Sequence, residues 1–315
     1  MNKLLIVSIL ALGYQTASAT SLLETFGAGA NEFTMEFVTI GNPGNAADTT
    51  GAPNPAGSVA YTYNLGKQEV SRDMITKANA EGSLGITLQN MQYYGGNGVN
   101  RPATGITWYE AATFVNWLNT STGGTAAYKF SGSTFQLWSA GDAGYNANNK
   151  FRNSLAKYVI ASSNEWYKGA YGKRDGSWSN YPNGSNSAPN PVAGGTATDT
   201  AVYGGQSGPA DIDNAGSLSD YGTMGQGGNV WEWNETAYDG SNNTAGEWSE
   251  DRDVRGDSWS DIGSYYLGAS GRIGALPADE SKDYGFRVAS VPEPSAVSLL
   301  AIGLGGLAIL RRRRS

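Results

Sequence analysis

Cysteine and histidine are both absent from the 315 residues. Without cysteine there is no disulfide, no thiolate metal site and no cysteine nucleophile. Without histidine there is no Ser-His-Asp or Cys-His catalysis. The two absences together remove zinc sites of the usual kind and any copper site built on thiolates or imidazoles. Carboxylate acid/base chemistry, lysine or tyrosine chemistry and oxygen-ligand sites for hard cations such as calcium remain open. Positive charge is also scarce between the ends. With Lys3 and Arg311, Arg312, Arg313 and Arg314 set aside, 16 of the 21 bases remain against all 28 acids, a net of −12. A surface of that sign repels nucleic acid and anionic lipid, so neither is an expected partner.

What is plentiful is glycine and aromatics: 44 glycines, 18 tyrosines and 9 tryptophans indicate a loop-rich domain with aromatic anchors rather than a helical bundle. Long apolar runs occur at the two ends. Lys3 precedes Leu4 to Leu12, and Ala17-Ser18-Ala19 then supplies the small-x-small pattern of a signal-peptide cleavage site, so residues 1–19 are expected to be removed after Ala19. At the other end Pro292-Glu293-Pro294 precedes an apolar stretch from Ala296 to Leu310 and the four arginines. Such a run can form a short membrane-spanning helix stopped by cytoplasmic charge, marginal in length and suited to a transient anchor. Residues 291–315 in this three-part order resemble the PEP-CTERM sorting signal of Gram-negative bacteria. The resemblance implies export across the inner membrane, processing by an exosortase-type membrane protease, transient inner-membrane anchoring, and delivery to the surface or exterior of cells that make exopolysaccharide.

Between the ends, residues 30–290 read as one globular domain. Thr107-Trp108-Tyr109-Glu110 is a capping box, and Ala111, Ala112, Val115 and Leu118 follow at helical spacing through Asn119. Ser162-Ser163-Asn164-Glu165 repeats the device before Trp166-Tyr167-Lys168, and Ser71 caps a third helix through Met74 and Ile75. Phe33 to Ile40, Tyr61 to Leu65, Val254 to Arg255 and Phe286 to Val288 are strand candidates. The stretch from Asp175 to Asp220 is expected to be irregular. An α+β domain with few regular elements follows.

Tyr63 to Val70, Gly105 to Ala111, Ser163 to Tyr167, Gly228-Asn229-Val230-Trp231-Glu232-Trp233, and the closing pair Arg255 to Trp259 and Gly285-Phe286-Arg287 resemble, in order and spacing, the formylglycine-generating enzyme (sulfatase-modifying factor) family. The resemblance implies a variant of the C-type-lectin-like fold. It also implies calcium held by Gly228, Val230 and Glu232, although Gly225 stands where many members carry an Asp or Asn oxygen. The active enzymes hold copper with two cysteines, and those positions fall near Asp261 and Tyr266. Neither side chain binds copper(I) as a thiolate does, so no copper and no formylglycine-generating oxidation are expected. The residues themselves leave Glu232 open to pairing with Arg255 or Arg287 as well as to ligating calcium. Trp231 and Trp233 alternate about it and face the opposite side of an extended segment.

Three functions stay open. The domain is a non-catalytic module binding extracellular polysaccharide or a protein partner, with Trp138, Trp178, Tyr181 and Trp248 as sugar-stacking candidates. Alternatively it is a self-associating matrix or envelope component. A carboxylate hydrolase drawing on Glu165, Glu232, Glu235, Asp211 and Asp213 is the third, and it needs an acid pair with a defined separation in an open cleft.

Overall fold

The computed structural model describes residues 21–243 and 250–292. The expected cleavage-site residues Ala17 and Ala19, Trp248, and the sorting-signal residues Glu293, Pro294 and Arg311 to Arg314 lie outside them. Among the described residues no helix is long and apolar enough to cross a membrane.

The larger sheet grows from β2 (Phe33–Ile40), where Phe33, Met35 and Phe37 are buried while Thr34 between them is exposed. This period-two alternation turns one face of the strand to the core. Its neighbours are β1 (Ser21–Phe26) and β3 (Tyr63–Gly66), and the order continues through β13 (Val288–Ser290) to β6 (Tyr158–Ile160), antiparallel throughout. β1 lies ahead of residue 30, so the folded domain starts earlier than the sequence boundary placed it. The strand's exposed-to-half-buried pattern gave no apolar alternation to read.

The smaller sheet is built on β9 (Trp231–Ala237), all seven of whose residues are buried. It pairs antiparallel with β10 (Arg252–Arg255) and parallel with β12 (Tyr284–Phe286), while β11 (Ile273–Ala275) extends the sheet beyond β10. The expected strand from Phe286 to Val288 is in fact a crossing. β12 ends at Phe286, β13 starts at Val288, and Arg287 alone carries the chain from one sheet to the other.

All three expected caps form. Ser71 precedes α1 (Arg72–Gly82), Thr107 precedes α2 (Trp108–Ser121) and Ser162 precedes α3 (Ser163–Tyr171), each accepting from the amide three residues on. α2 buries Ala111, Ala112, Phe114, Val115 and Leu118, and Phe114 reaches Phe33 at 6.3 Å and Phe286 at 5.7 Å between ring centroids, joining both sheets in one core. Phe114, Val115 and Leu118 each contribute about 1.5–3 kcal/mol by leaving water. A hairpin of β4 (Lys129–Ser131) and β5 (Thr134–Gln136) lies outside the two sheets, and the only strands within 175–220 are the two-residue β7 (Asn190–Pro191) and β8 (Thr200–Ala201). That region is as irregular as its composition implies.

Candidate functional site

Arg287 sits where the sheets meet, with no exposed side-chain surface, and every donor of its guanidinium is used. Nε and Nη2 grip the Glu232 carboxylate at 2.6 and 2.5 Å, Nη1 donates to the carbonyls of Gly66 and Lys67, and Nη2 donates to that of Met224. The Trp166 indole donates to the same Glu232 oxygen at 2.7 Å. Glu232 therefore pairs with Arg287, while Arg255 turns to Asp253 at 2.8 Å. Trp231 and Trp233 point away from this pair, their indoles donating to Asp261 and to the carbonyl of Ile106.

Glu69 lies beside this pair. A Cβ at Gly225, which has φ +74°, would run into the Glu69 carboxylate, so the bare backbone at 225 makes room for that carboxyl. Asn229 donates to Glu69 Oε1 at 2.9 Å and Oε2 has no partner. Burial, against the pull of Arg287, pushes Glu69 up to about 7.

A second network joins two acids that the hydrolase reading singled out. Arg152 binds both oxygens of Glu165 at 3.1 and 3.0 Å and lies 3.6 Å from Glu235, and both glutamates are wholly buried. Glu165 also accepts from Tyr61 and from the Ser162 amide; Glu235 accepts from Tyr128 and Asn149. Burial alone would raise Glu165, but Arg152 brings it below its ordinary value. Burial raises Glu235, Arg152 opposing and Glu165 adding. Asp211 pairs with Arg101 at 3.3 Å and Asp213 is exposed on its own loop. None of these acids forms a pair in an open cleft.

The region near Asp261 and Tyr266 is different in kind. After β10, Gly256 (φ +103°) packs against Trp166, and Asp257 also takes a left-handed φ of 68°, steadied by the Ser258 amide donating to its own carboxyl at 2.9 Å. The loop is clamped from two sides: Trp259 donates to the carbonyl of Asn229, and the amides of Gly204 and Gly205 donate to the carbonyl of Asp261. Ser258 donates to Asp261 at 2.8 Å and reaches Asp283 at 3.2 Å, and Ser260 donates to Asp283 at 2.9 Å. No lysine or arginine forms an ion pair with Asp257, Asp261 or Asp283 among the described residues. Burial first, then the neighbouring Asp261 and Asp283, pushes Asp257 up to about 8, and its Oδ2 has no partner.

Aromatic rings continue outward from this cluster. Trp231 donates to Asp261 at 3.0 Å and meets Tyr266 edge-on at 5.3 Å, and Tyr266 meets Tyr265 at 5.0 Å. Exposure climbs along the series, from 4% at Trp231 to 37% at Tyr266 and 70% at Tyr265, and Ile262 beside them is 86% exposed. The aromatics chosen from sequence lie elsewhere. Trp138 donates to the carbonyl of Ala127, Trp178 packs on Tyr167 at 5.5 Å, and Tyr181 packs on Ala201, Tyr203 and Leu267, so all three anchor loops.

Residues 38–291 match the family model described as a sulfatase-modifying factor enzyme 1-like domain. The chain belongs to that family. Residues 290–314 match the PEP-CTERM protein-sorting motif, the mark of exported proteins processed by an exosortase. Among solved structures, variable protein 1 of Treponema denticola is 19% identical with a TM-score of 0.55, over 87% of this chain and all of that one. PvdO of Pseudomonas aeruginosa is 17% identical with a TM-score of 0.53, over 85% and 98%, and CarF is 15% identical with a TM-score of 0.52, over 82% and 98%. At these identities the likeness is one of fold. No curated protein matches the chain.

Two groups associated with the sulfatase-modifying factor family meet different residues here. Both oxygens of Glu232 are engaged by Arg287 and Trp166, and Gly225 offers no side-chain oxygen, so Gly228, Val230 and Glu232 do not fit a calcium ion. Near the family's cysteine positions stand a carboxylate that already accepts two hydrogen bonds and a phenol set edge-on to Trp231, a donor set unsuited to copper(I). The sequence did bring Asp261 and Tyr266 to one site. It missed Asp257, Asp283 and Tyr265. For Asp257 a local signal existed, an aspartate following the glycine of Arg255-Gly256-Asp257-Ser258-Trp259, whereas Asp283 arrives from a distant segment.

Proposed function

We propose that the domain is a non-catalytic recognition module of an exported surface protein and that it binds extracellular polysaccharide through the loop from Asp257 to Tyr266. One observation carries the reading: at the place where the family's cysteines would stand, the loop instead presents Tyr265, 70% exposed, on a row of rings that leads back to Trp231. Sugar faces stack on aromatic rings, and sugar hydroxyls suit carboxylate and serine acceptors such as Asp261 and Ser260. Delivery by the sorting motif to a polysaccharide-bearing surface agrees with that chemistry, as does a net negative domain that avoids anionic lipid and nucleic acid.

The test is binding of the purified chain to glycan arrays and to exopolysaccharide, beside Tyr265→Ala and Tyr266→Ala variants. Retention by a glycan class, weakened several-fold in Tyr265→Ala with unfolding unchanged, is the expected outcome. No retention above background, or retention indifferent to both substitutions, would sink the reading.

A further inference from the structure

The two edges of the larger sheet are finished differently. At β6 the α2 side chain Asn119 accepts from the amides of Lys157 and Tyr158 at 3.0 and 2.9 Å and donates to the Tyr158 carbonyl at 2.8 Å, and the Tyr128 hydroxyl accepts from the Ile160 amide at 2.9 Å. Side chains thus close that edge. At β1 all six residues, from Ser21 opposite Val38 to Phe26 opposite Phe33, pair with β2, and nothing among the described residues bonds to the other side.

Most of the usual guards of a free edge are missing from β1. The strand has no proline and no lysine, and its register with β2 runs without a bulge. Its only charge, Glu24, is tied to Lys157 at 2.7 Å. Two leucines remain in the open, Leu22 at 41% and Leu23 at 66% exposure.

We propose that β1 pairs antiparallel with β1 of a second copy of this chain, joining two five-stranded sheets into one. A two-fold axis normal to the sheet keeps each residue on its own face, so partners must have numbers that sum to an even value. Centring on Leu23 sets Leu23 against Leu23, Leu22 against Glu24 and Ser21 against Thr25. Each exposed leucine gains a cross-strand neighbour and no like charges meet. Centring on Glu24 would oppose the two carboxylates, and centring on Leu22 would shorten the ladder. Among the self-pairings the first register is the one in which the strand is complementary to itself, which a second copy supplies.

Because the chain has no cysteine, one introduced thiol reports the pairing directly. Directly opposed Cβ atoms about 4.5–5.5 Å apart lie close enough for a disulfide after small adjustment. The full chain, purified in mild detergent, is expected to scatter light as a dimer. Leu23→Cys under mild oxidant is expected to cross-link several-fold faster than Tyr93→Cys, a control at a 90% exposed site. Leu23→Lys is expected to return the protein to a monomer with its circular dichroism unchanged. A monomer at all concentrations, equal cross-linking of the two cysteine variants, or a dimer that survives Leu23→Lys would each overturn the proposal.

Discussion

Around Arg287 and Arg152 the buried carboxylates Glu232, Glu165 and Glu235 face guanidinium groups. In the loop after β10, Asp257 and Asp261 meet Asp283 from the turn before β12, with serine hydroxyls, an amide and an indole as donors. The contrast separates two uses of the same side chain. In the paired region each carboxylate oxygen is met by a fixed donor, so the geometry is locked and removing one partner strands a charge. An acid cluster without cations keeps one member neutral and holds its partners by hydrogen bonds that depend on protonation.

The strongest way to break this comparison is to remove a cation from the paired region. Arg287→Met strands Glu232 between the sheets and is expected to cost about 3–5 kcal/mol in urea unfolding. A loss under 1 kcal/mol would show that Glu232 takes up a proton or another partner without difficulty.

A pH series sharpens the other half. Asp257 is raised from 3.8 to about 8 and Glu69 from 4.5 to about 7. A carboxyl raised in the folded state keeps a proton that the unfolded chain has lost. Its stabilisation is therefore whole below the unfolded value and is lost as pH rises towards the folded one. Stability is expected to fall between about pH 4 and 8; Glu69→Gln should lessen the slope only below about pH 7, whereas Asp257→Asn should lessen it throughout and level the stretch from about pH 7 to 8. Urea midpoints across the range measure both. A parent midpoint that stays level would contradict the assignment of neutral carboxyls.

Smaller effects calibrate the scale. Thr107→Ala removes the cap of α2, where the hydroxyl accepts from Glu110, and is expected to lower stability by about 1 kcal/mol in the same unfolding assay. At the surface, Asp73 and Lys77 pair one turn apart in α1 at 2.7 Å, both partly exposed. Asp73→Asn should change stability by only about 0.3–0.5 kcal/mol, and should do so less at high salt.

The parts of the molecule that could be read in advance are those whose cause is local. The caps at Ser71, Thr107 and Ser162 depend on residues three apart, and the strand from Phe33 to Ile40 on alternation along itself, so both were visible in the letters. β1 lacks such alternation because its outer face and edge are open. The hairpin of β4 and β5 is similarly short and half exposed. Partnerships across the chain are set by packing. Arg287 was one of two candidates for Glu232, and only the crossing between sheets decides for it. Arg152 finds Glu165 thirteen residues away and Glu235 far along the chain, and Asp283 meets Ser258 and Ser260 from the turn before β12. The exposed Tyr265 was missed for a related reason: a tyrosine on an anchored loop and one on an open loop look alike until burial is known.

β13 lies between β3 and β6, in the interior of the larger sheet, and it is the last strand of the domain. The sheet has a vacant slot until that strand is in place, so the core cannot close before residues 288–290 are available. Because the sorting motif begins at residue 290, within that same strand, any pull on the tail enters the fold at its middle. Two antiparallel neighbours share that load in shear, a sturdier mooring than an edge strand that could peel away one bond at a time.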